Sequence, residues 1–313
     1  MSNSFVNLRT HTNFSLSEGM LTSKYIAEFC KTNLQPACAI TDTSNLFGVF
    51  EFSETLFLKG IQPIIGMQIN LKDNHYKKSN EIIIFAKNKF GYKNLVNLSN
   101  IVNNCVSKNP ERSINLDFLL KHKEGLIVLS GGPENGFLGF HAGEQNYDIS
   151  RKRAKILKEY FNDNFYIELQ RTGLKRDLAA EPVLIKIAYE LNLPIVATND
   201  SYFRSSKDFE SHEILMMIDK GQTISGNKTR FLSKENYLKT SPEMIKLFKD
   251  IPEAIENSLM IAKRCSFMVE EKKPMLPKFV TSTINKSEDE LLKDLSIYGL
   301  KKRLDINNLN KNK

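Results

Sequence analysis

Short apolar runs alternate along this chain with longer segments whose apolar residues recur every three or four positions. That alternation predicts strands joined by crossover helices, as in a parallel α/β fold. Strands are expected over 5–11, 37–41, 64–71, 82–86, 126–130, 165–169 and 195–198. Between them, Thr22 or Ser23 caps a helix with Tyr25, Ile26 and Phe29 on one face, and further helices run over 49–59, 92–104, 151–161 and 177–191. After Asp200 the texture becomes helical, over 209–220, 242–248 and 252–265, with Ser241 and Asp250 as caps before their prolines. An extended connector over 273–277, a last helix over 288–303 and a polar tail over 307–313 complete the chain.

The 313 residues are 41% hydrophobic, enough for a substantial core and incompatible with disorder of the whole chain. The longest apolar stretches, such as Ile82-Ile-Ile-Phe-Ala86, fall far short of the roughly 20 residues that span a bilayer. Met-Ser-Asn-Ser at the start lacks a signal pattern, so the expectation is a cytoplasmic protein without a membrane partner. Cys30, Cys38, Cys105 and Cys265 form no Cys-x-x-Cys pair and are expected to be reduced and structural. The net charge is +8, from 44 Lys and Arg against 36 Asp and Glu. It favours nucleic acid or an acidic partner weakly, and a solvated Lys-rich surface explains it equally well.

The candidate chemistry lies where apolar runs stop. Phe5-Val-Asn-Leu-Arg-Thr-His11 ends in an imidazole and is followed by Glu18, Ala39-Ile-Thr-Asp42 runs into Thr43-Ser-Asn45, and Ile195-Val-Ala-Thr-Asn-Asp200 precedes Tyr202. In a parallel barrel the C-terminal strand ends share one rim, so His11, Glu18, Asp42 and Asp200 could converge there on zinc or manganese. Each has a plainer reading, because one His and a few acids do not define a metal site and Asp before Thr-Ser-Asn also forms turns. Ser130-Gly-Gly-Pro133 reads as a tight turn rather than a phosphate loop. His212-Glu213 lacks the second His of a zinc-protease helix, no serine sits in a Gly-x-Ser-x-Gly elbow, and Asp-x-Asp is absent. His75, His122 and His141 read as surface residues.

Taken in order, these segments resemble the polymerase and histidinol phosphatase (PHP) domain found at the N-terminus of the bacterial DNA polymerase III alpha subunit. The resemblance rests on 5–19, 39–48, Lys59-Gly-Ile-Gln-Pro-Ile-Ile-Gly66, Leu129-Ser-Gly-Gly132, Tyr166-Ile-Glu-Leu-Gln-Arg171 and 194–200. Ser211-His-Glu-Ile214, Asp250-Ile-Pro-Glu-Ala254 and Ile261-Ala-Lys-Arg-Cys265 continue it, and Leu276-Pro-Lys-Phe279 and Tyr298-Gly-Leu-Lys-Lys-Arg303 resemble the entry to the polymerase palm. It implies an α/β fold: a distorted (β/α)7 barrel with C-terminal helices over 1–272, then a connector and the start of a palm over 273–313. The chain is expected to be the N-terminal portion of a polymerase, unable to polymerise alone, since the Mg²⁺-holding carboxylates of the family lie in the palm.

Metal-binding members of the family use rim histidines and carboxylates to hydrolyse phosphoesters. Carried over by position, this chain keeps His11, Glu18, Asp42 and Asp200. Arg9 and Thr43 stand where active members have His, Gln68 where they have Glu, and Tyr202 and Glu81 where they have further His. A guanidinium cannot ligate a metal but can neutralise Glu18, Asp42 or Asp200 through charge-assisted hydrogen bonds. The resemblance therefore implies a vestigial site without bound metal, and a structural domain that helps to bind a separate proofreading exonuclease and other replicase subunits, with DNA met through the full-length polymerase. The alternative is a metal-dependent phosphoesterase or 3′–5′ exonuclease using zinc or manganese at His11, Glu18, Asp42 and Asp200.

Overall fold

A computed structural model describes residues 4–73, 78–104, 112–223, 232–271, 273–274 and 286–306. His75, Cys105, the 275–277 part of the connector, the palm-like residues 276–279 and the tail over 307–313 lie outside the described residues. The chain divides into two units, Met1–Glu270 and Glu271–Lys313. In the first, α1 (Ser23–Thr32), β1 (Ala37–Ile40), α2 (Val49–Phe57), β2 (Gln62–Lys72), β3 (Asn80–Ala86), α3 (Lys89–Asn104), β4 (Ser113–Asn115), α4 (Leu116–Lys121) and β5 (Leu126–Leu129) come in turn. They are followed by α5 (Gly139–Gly143), α6 (Tyr147–Phe161), β6 (Phe165–Gln170), α7 (Lys175–Glu190), β7 (Ile195–Thr198), α8 (Phe209–Asp219), α9 (Ser241–Leu247) and α10 (Pro252–Arg264). The second unit contains α11 (Glu288–Ile306).

The strands form one curled sheet in the order β1-β2-β3-β5-β6-β7, with β4 beside β2. β1–β2, β5–β6 and β6–β7 are parallel, but β3 runs antiparallel to both β2 and β5. The all-parallel expectation therefore fails at β3. A parallel crossover needs a dozen or more residues, and the link over 73–79 is too short to supply one.

The strand expected over 5–11 forms only as isolated bridges, Asn7 to Cys38 and Thr10 to Ser201. Side chains take three of its amides: Phe5 N–H donates to Ser241 Oγ at 3.2 Å, Val6 N–H to Ser258 Oγ at 3.0 Å, and Thr10 N–H to Thr41 Oγ1 at 2.9 Å. The segment still ties the sheet edge to edge. Ala39 N–H donates to Asn7 O at 2.8 Å on the β1 side, while His11 N–H donates to Ser201 O at 2.9 Å and Ser201 N–H to Arg9 O at 3.2 Å beyond β7. The result is a distorted (β/α) barrel.

The barrel interior changes character along its length. Val6, Leu8, Ile64, Ile83, Phe85, Ile127, Leu129, Tyr166 and Val196 pack inside, closed off by Ile261, Ala262 and Cys265 at the end of α10. Every second residue of a strand faces inward, so the same stripes continue as Glu81 on β3, Glu168 and Gln170 on β6 and Thr198 on β7. One half of the interior is thus apolar and the rim half polar. Outside the sheet, Ile26, Phe52, Leu95, Leu157 and Leu184 bury the inner faces of the helices against it.

Local details differ from expectation where tertiary partners compete for a side chain. Thr240, not Ser241, caps α9 in a reciprocal box with Glu243, because Ser241 Oγ is committed to Phe5. Ile251 precedes α10, and Asp250 instead pairs with Arg171 at 2.7 Å. Among the described residues no helix is long and apolar enough to cross a membrane. Because Val6 N–H has Ser258 Oγ as a buried acceptor, Ser258→Ala is expected to cost about 1–3 kcal/mol. Urea unfolding measures this, and an unchanged midpoint would count against the tying role of the N-terminal segment.

Candidate functional site

The polar half of the interior is organised around Arg9, which is 1% exposed. Its Nη2 donates to Gln68 Oε1 at 2.7 Å and to Glu81 Oε2 at 2.9 Å, and its Nη1 donates to Glu168 Oε1 at 3.2 Å. Its Nε lies 2.9 Å from Asp200 Oδ1, an ion-pair contact without the angle of a hydrogen bond. Burial alone pulls the guanidinium pKa down, and the charges of Asp200, Glu168 and Glu81 more than reverse this, holding Arg9 firmly charged. β2, β3, β6 and the chain after β7 each contribute one of these partners.

The partners feel the same field. Burial raises the Asp200 pKa, but Arg9 and His11 outweigh it and keep this carboxylate below its usual range. Glu81 lies above its usual range, because burial and repulsion from Asp200 exceed the help it receives from Arg9. Glu168 Oε1 also accepts from Thr198 Oγ1 at 2.6 Å and Gln170 Nε2 at 2.8 Å, while its buried Oε2 has no hydrogen-bond partner.

His11 Nε2 lies 3.1 Å from Asp200 Oδ1, its Nδ1 is 3.1 Å from Ser15 Oγ, and its ring stacks on Tyr202 with centroids 4.3 Å apart. Burial lowers the imidazole pKa and Asp200 overrides that, leaving it raised above 6.5. Tyr202 donates to Asp200 Oδ2 at 3.3 Å, and burial followed by the charge of Asp200 pushes its phenol pKa far up, so it stays neutral.

Of the three candidate counter-charges, Asp200 faces Arg9, while Glu18 and Asp42 are engaged elsewhere. Asp42 braces the loop after the N-terminal segment, accepting from Thr12 N at 2.6 Å, Thr12 Oγ1 at 2.7 Å and Ser15 Oγ at 2.6 Å. Glu18 accepts from Thr43 Oγ1 at 2.5 Å, and its carbonyl lies 2.7 Å from His212 Nε2. Arg9, Glu18, Thr43, Gln68, Glu81, Asp200 and Tyr202 line a cavity of about 230 Å³, which His11 and Asp42 do not line. Among the described residues no group of three or more His, Cys, Asp and Glu is placed to hold a metal ion.

Glu168 was not among the expected site residues. Its signal was a single carboxylate inside Phe165-Tyr-Ile-Glu-Leu-Gln170, a strand buried at every position. Such a charge persists only with a buried counter-charge.

Comparison with known proteins places this geometry. The family model for the PHP domain matches residues 7–172. The chain belongs to the PHP domain family. It is 36% identical over 307 residues to the DNA polymerase III subunit alpha of Caulobacter vibrioides, an alignment covering 96% of this chain and 27% of that relative. With the same subunit of Pseudomonas aeruginosa it shares 37% identity over 314 residues, covering 98% of this chain and 26% of the relative. The chain thus spans about a quarter of the length of these relatives and is homologous to their N-terminal region. Among solved structures it is similar to a two-domain protein from Bacteroides vulgatus described as containing a predicted PHP-like metal-dependent phosphoesterase, with a TM-score of 0.44, 13% identity, and coverage of 87% of this chain and 72% of that one.

Two outcomes follow for this PHP domain. Arg9→Met leaves the carboxylates of Glu81, Glu168 and Asp200 without their cation and is expected to lower stability by about 3–5 kcal/mol in denaturant titration; a loss below about 1 kcal/mol would contradict the arrangement. The raised folded-state pKa of His11 means that its contribution is complete below 6.5 and is lost as pH rises through the higher folded value. The stability gap between wild type and His11→Gln should therefore shrink as pH rises above 6.5, and a gap that widens there would contradict this sign.

Proposed function

We propose that this chain is the N-terminal PHP domain of a replicative DNA polymerase III alpha subunit, and that its barrel serves as a structural, partner-binding module instead of a hydrolase. The observation that carries the reading is Arg9, a buried cation occupying the position of a family His and paired to carboxylates from three parts of the sheet. A guanidinium has no lone pair to give a metal and repels any cation placed beside it. Most of the remaining donors are engaged, although His11 Nε2, Asp200 Oδ1 and Glu168 Oε2 make no hydrogen bond. Asp42 holds the 12–15 loop, Glu18 is bonded by Thr43, and both His11 nitrogens face partners.

The donor set does not fit the zinc or manganese used by metal-dependent relatives in the family, which require converging imidazoles and carboxylates. What supports a replicase context is the shared identity with polymerase III alpha subunits along nearly the whole chain. In that context the partners are a proofreading exonuclease and the other replicase subunits, with DNA engaged through the remainder of the polymerase, in the cytoplasm. Nucleotidyl transfer belongs on this reading to a palm beyond the homologous region, where carboxylates hold two Mg²⁺ ions.

Elemental analysis of the purified chain should find zinc, manganese and iron each well below one ion per chain. Stoichiometric metal, together with hydrolysis of a phosphodiester abolished by Asp42→Ala and by Asp200→Ala, would instead establish the phosphoesterase or exonuclease alternative. Gel filtration with the proofreading exonuclease from the same organism should show co-elution, and separate elution would defeat the partner-binding role.

A further inference from the structure

The net charge of +8 is not expressed at the rim, where Glu18, Glu81, Glu134, Asp177 and Asp200 surround Arg9 as the one cation among the cavity's described residues. The opposite end of the barrel has the opposite character. β3 runs against β5, with Ala86 paired to Leu126, so the link from β3 into α3 lies beside the start of β5 and away from the rim. There Lys87 N–H donates to Gly125 O at 2.9 Å and Asn94 Nδ2 to Glu124 O at 2.8 Å. The approach is so close that a Cβ on Gly91 would lie 2.0 Å from Gly125 O. Lys123 Nζ reaches Tyr160 O at 3.3 Å, and Lys87 Nζ reaches Asn164 Oδ1 at 3.0 Å. Three connections and the end of α10 are thereby joined into one surface.

That surface carries Lys87, Lys89, Lys93, Lys121, Lys123 and Arg264. None of these cations has a carboxylate within ion-pair distance among the described residues, although Glu124, Glu159 and Asp163 share the same connections. Lys87 Nζ and Arg264 Nη2 both donate to the neutral Oδ1 of Asn164, at 3.0 and 2.5 Å, so two like charges converge on one amide oxygen. Lys89 opens α3, whose first turn contains no acidic residue. A helix N-terminus carries partial positive charge and is stabilised by carboxylates, so a lysine there opposes what helix stability prefers. Local choices that oppose stability are expected at functional positions. Among these cations Phe90 is 56% exposed and Tyr160 39% exposed.

Cations bonded only to neutral acceptors or left without a carboxylate, a helix N-terminus and exposed aromatic rings on one surface match a flexible polyanion that carries planar bases. We infer that this end of the barrel binds the phosphodiester backbone of single-stranded nucleic acid, with Phe90 as a stacking platform for a base. The inference is independent of the vacated metal positions, which lie at the other end.

The test is fluorescence anisotropy of labelled oligothymidylate with the full 313-residue chain across a range of KCl concentrations. Affinity should fall with a log–log salt slope of about 3–4, as expected when roughly five phosphates are neutralised. The double variant Lys89→Glu, Lys93→Glu should weaken binding about tenfold or more, and Phe90→Ala about fivefold. Lys152→Glu with Lys186→Glu, on the outer faces of α6 and α7, changes net charge equally and should stay within about twofold of wild type. Circular dichroism should show all variants folded. Absence of salt-dependent binding, or equal loss in both double variants, would overturn the site. Equal affinity for duplex DNA with no effect of Phe90→Ala would overturn the single-strand assignment.

Discussion

The structure depends on one buried guanidinium. Arg9 sits on the segment that ties the two edges of the sheet, and it binds Gln68 of β2, Glu81 of β3, Glu168 of β6 and Asp200 after β7. A charge taken out of water costs several kcal/mol, and only well-placed partners offset that cost. Here the requirement runs both ways. Without Arg9 the carboxylates would face one another across a low-dielectric cavity, and without them Arg9 could not be buried. Burial drives Glu81 above the ordinary carboxylate range despite Arg9, while Arg9 and His11 together hold the buried Asp200 below it.

The same arrangement gives the barrel two unlike ends. Towards α10 the interior is filled by Ile83, Phe85, Ile127 and Val196. Towards the rim the inward positions become Glu81, Glu168, Gln170 and Thr198, and packing is replaced by hydrogen bonds. In this chain the rim's charge is balanced from within, and Arg9 acts there as a cross-link between strands.

Much of this was legible in the sequence, where the strand-end pattern offered Asp200 and the family resemblance singled out Arg9, Gln68 and Glu81. These four come together as one cluster, and Thr43 and Tyr202 line the same cavity. Glu168 was harder to find, because it lies inside a strand whose neighbours are apolar and its role appears only when β6 is set beside β7 and the N-terminal segment. Asp42 had the residue type and place of a ligand, yet its oxygens are taken by Thr12 and Ser15, a local competition that spacing does not reveal. The antiparallel course of β3 was available in the shortness of the 73–79 link, whereas the loss of a regular strand over 5–11 was not, since it follows from distant Ser241 and Ser258.

The central proposal is that Arg9, not a metal ion, serves as the counter-charge of the rim. A ligand that binds the folded state raises its melting temperature by mass action, and removing a resident ligand lowers it. The most direct measurement is therefore the thermal unfolding midpoint of the wild-type chain after dialysis against EDTA, and again with saturating Mn²⁺ or Zn²⁺. The account predicts the same midpoint under all three conditions. A midpoint that falls in EDTA and is restored by metal would contradict it.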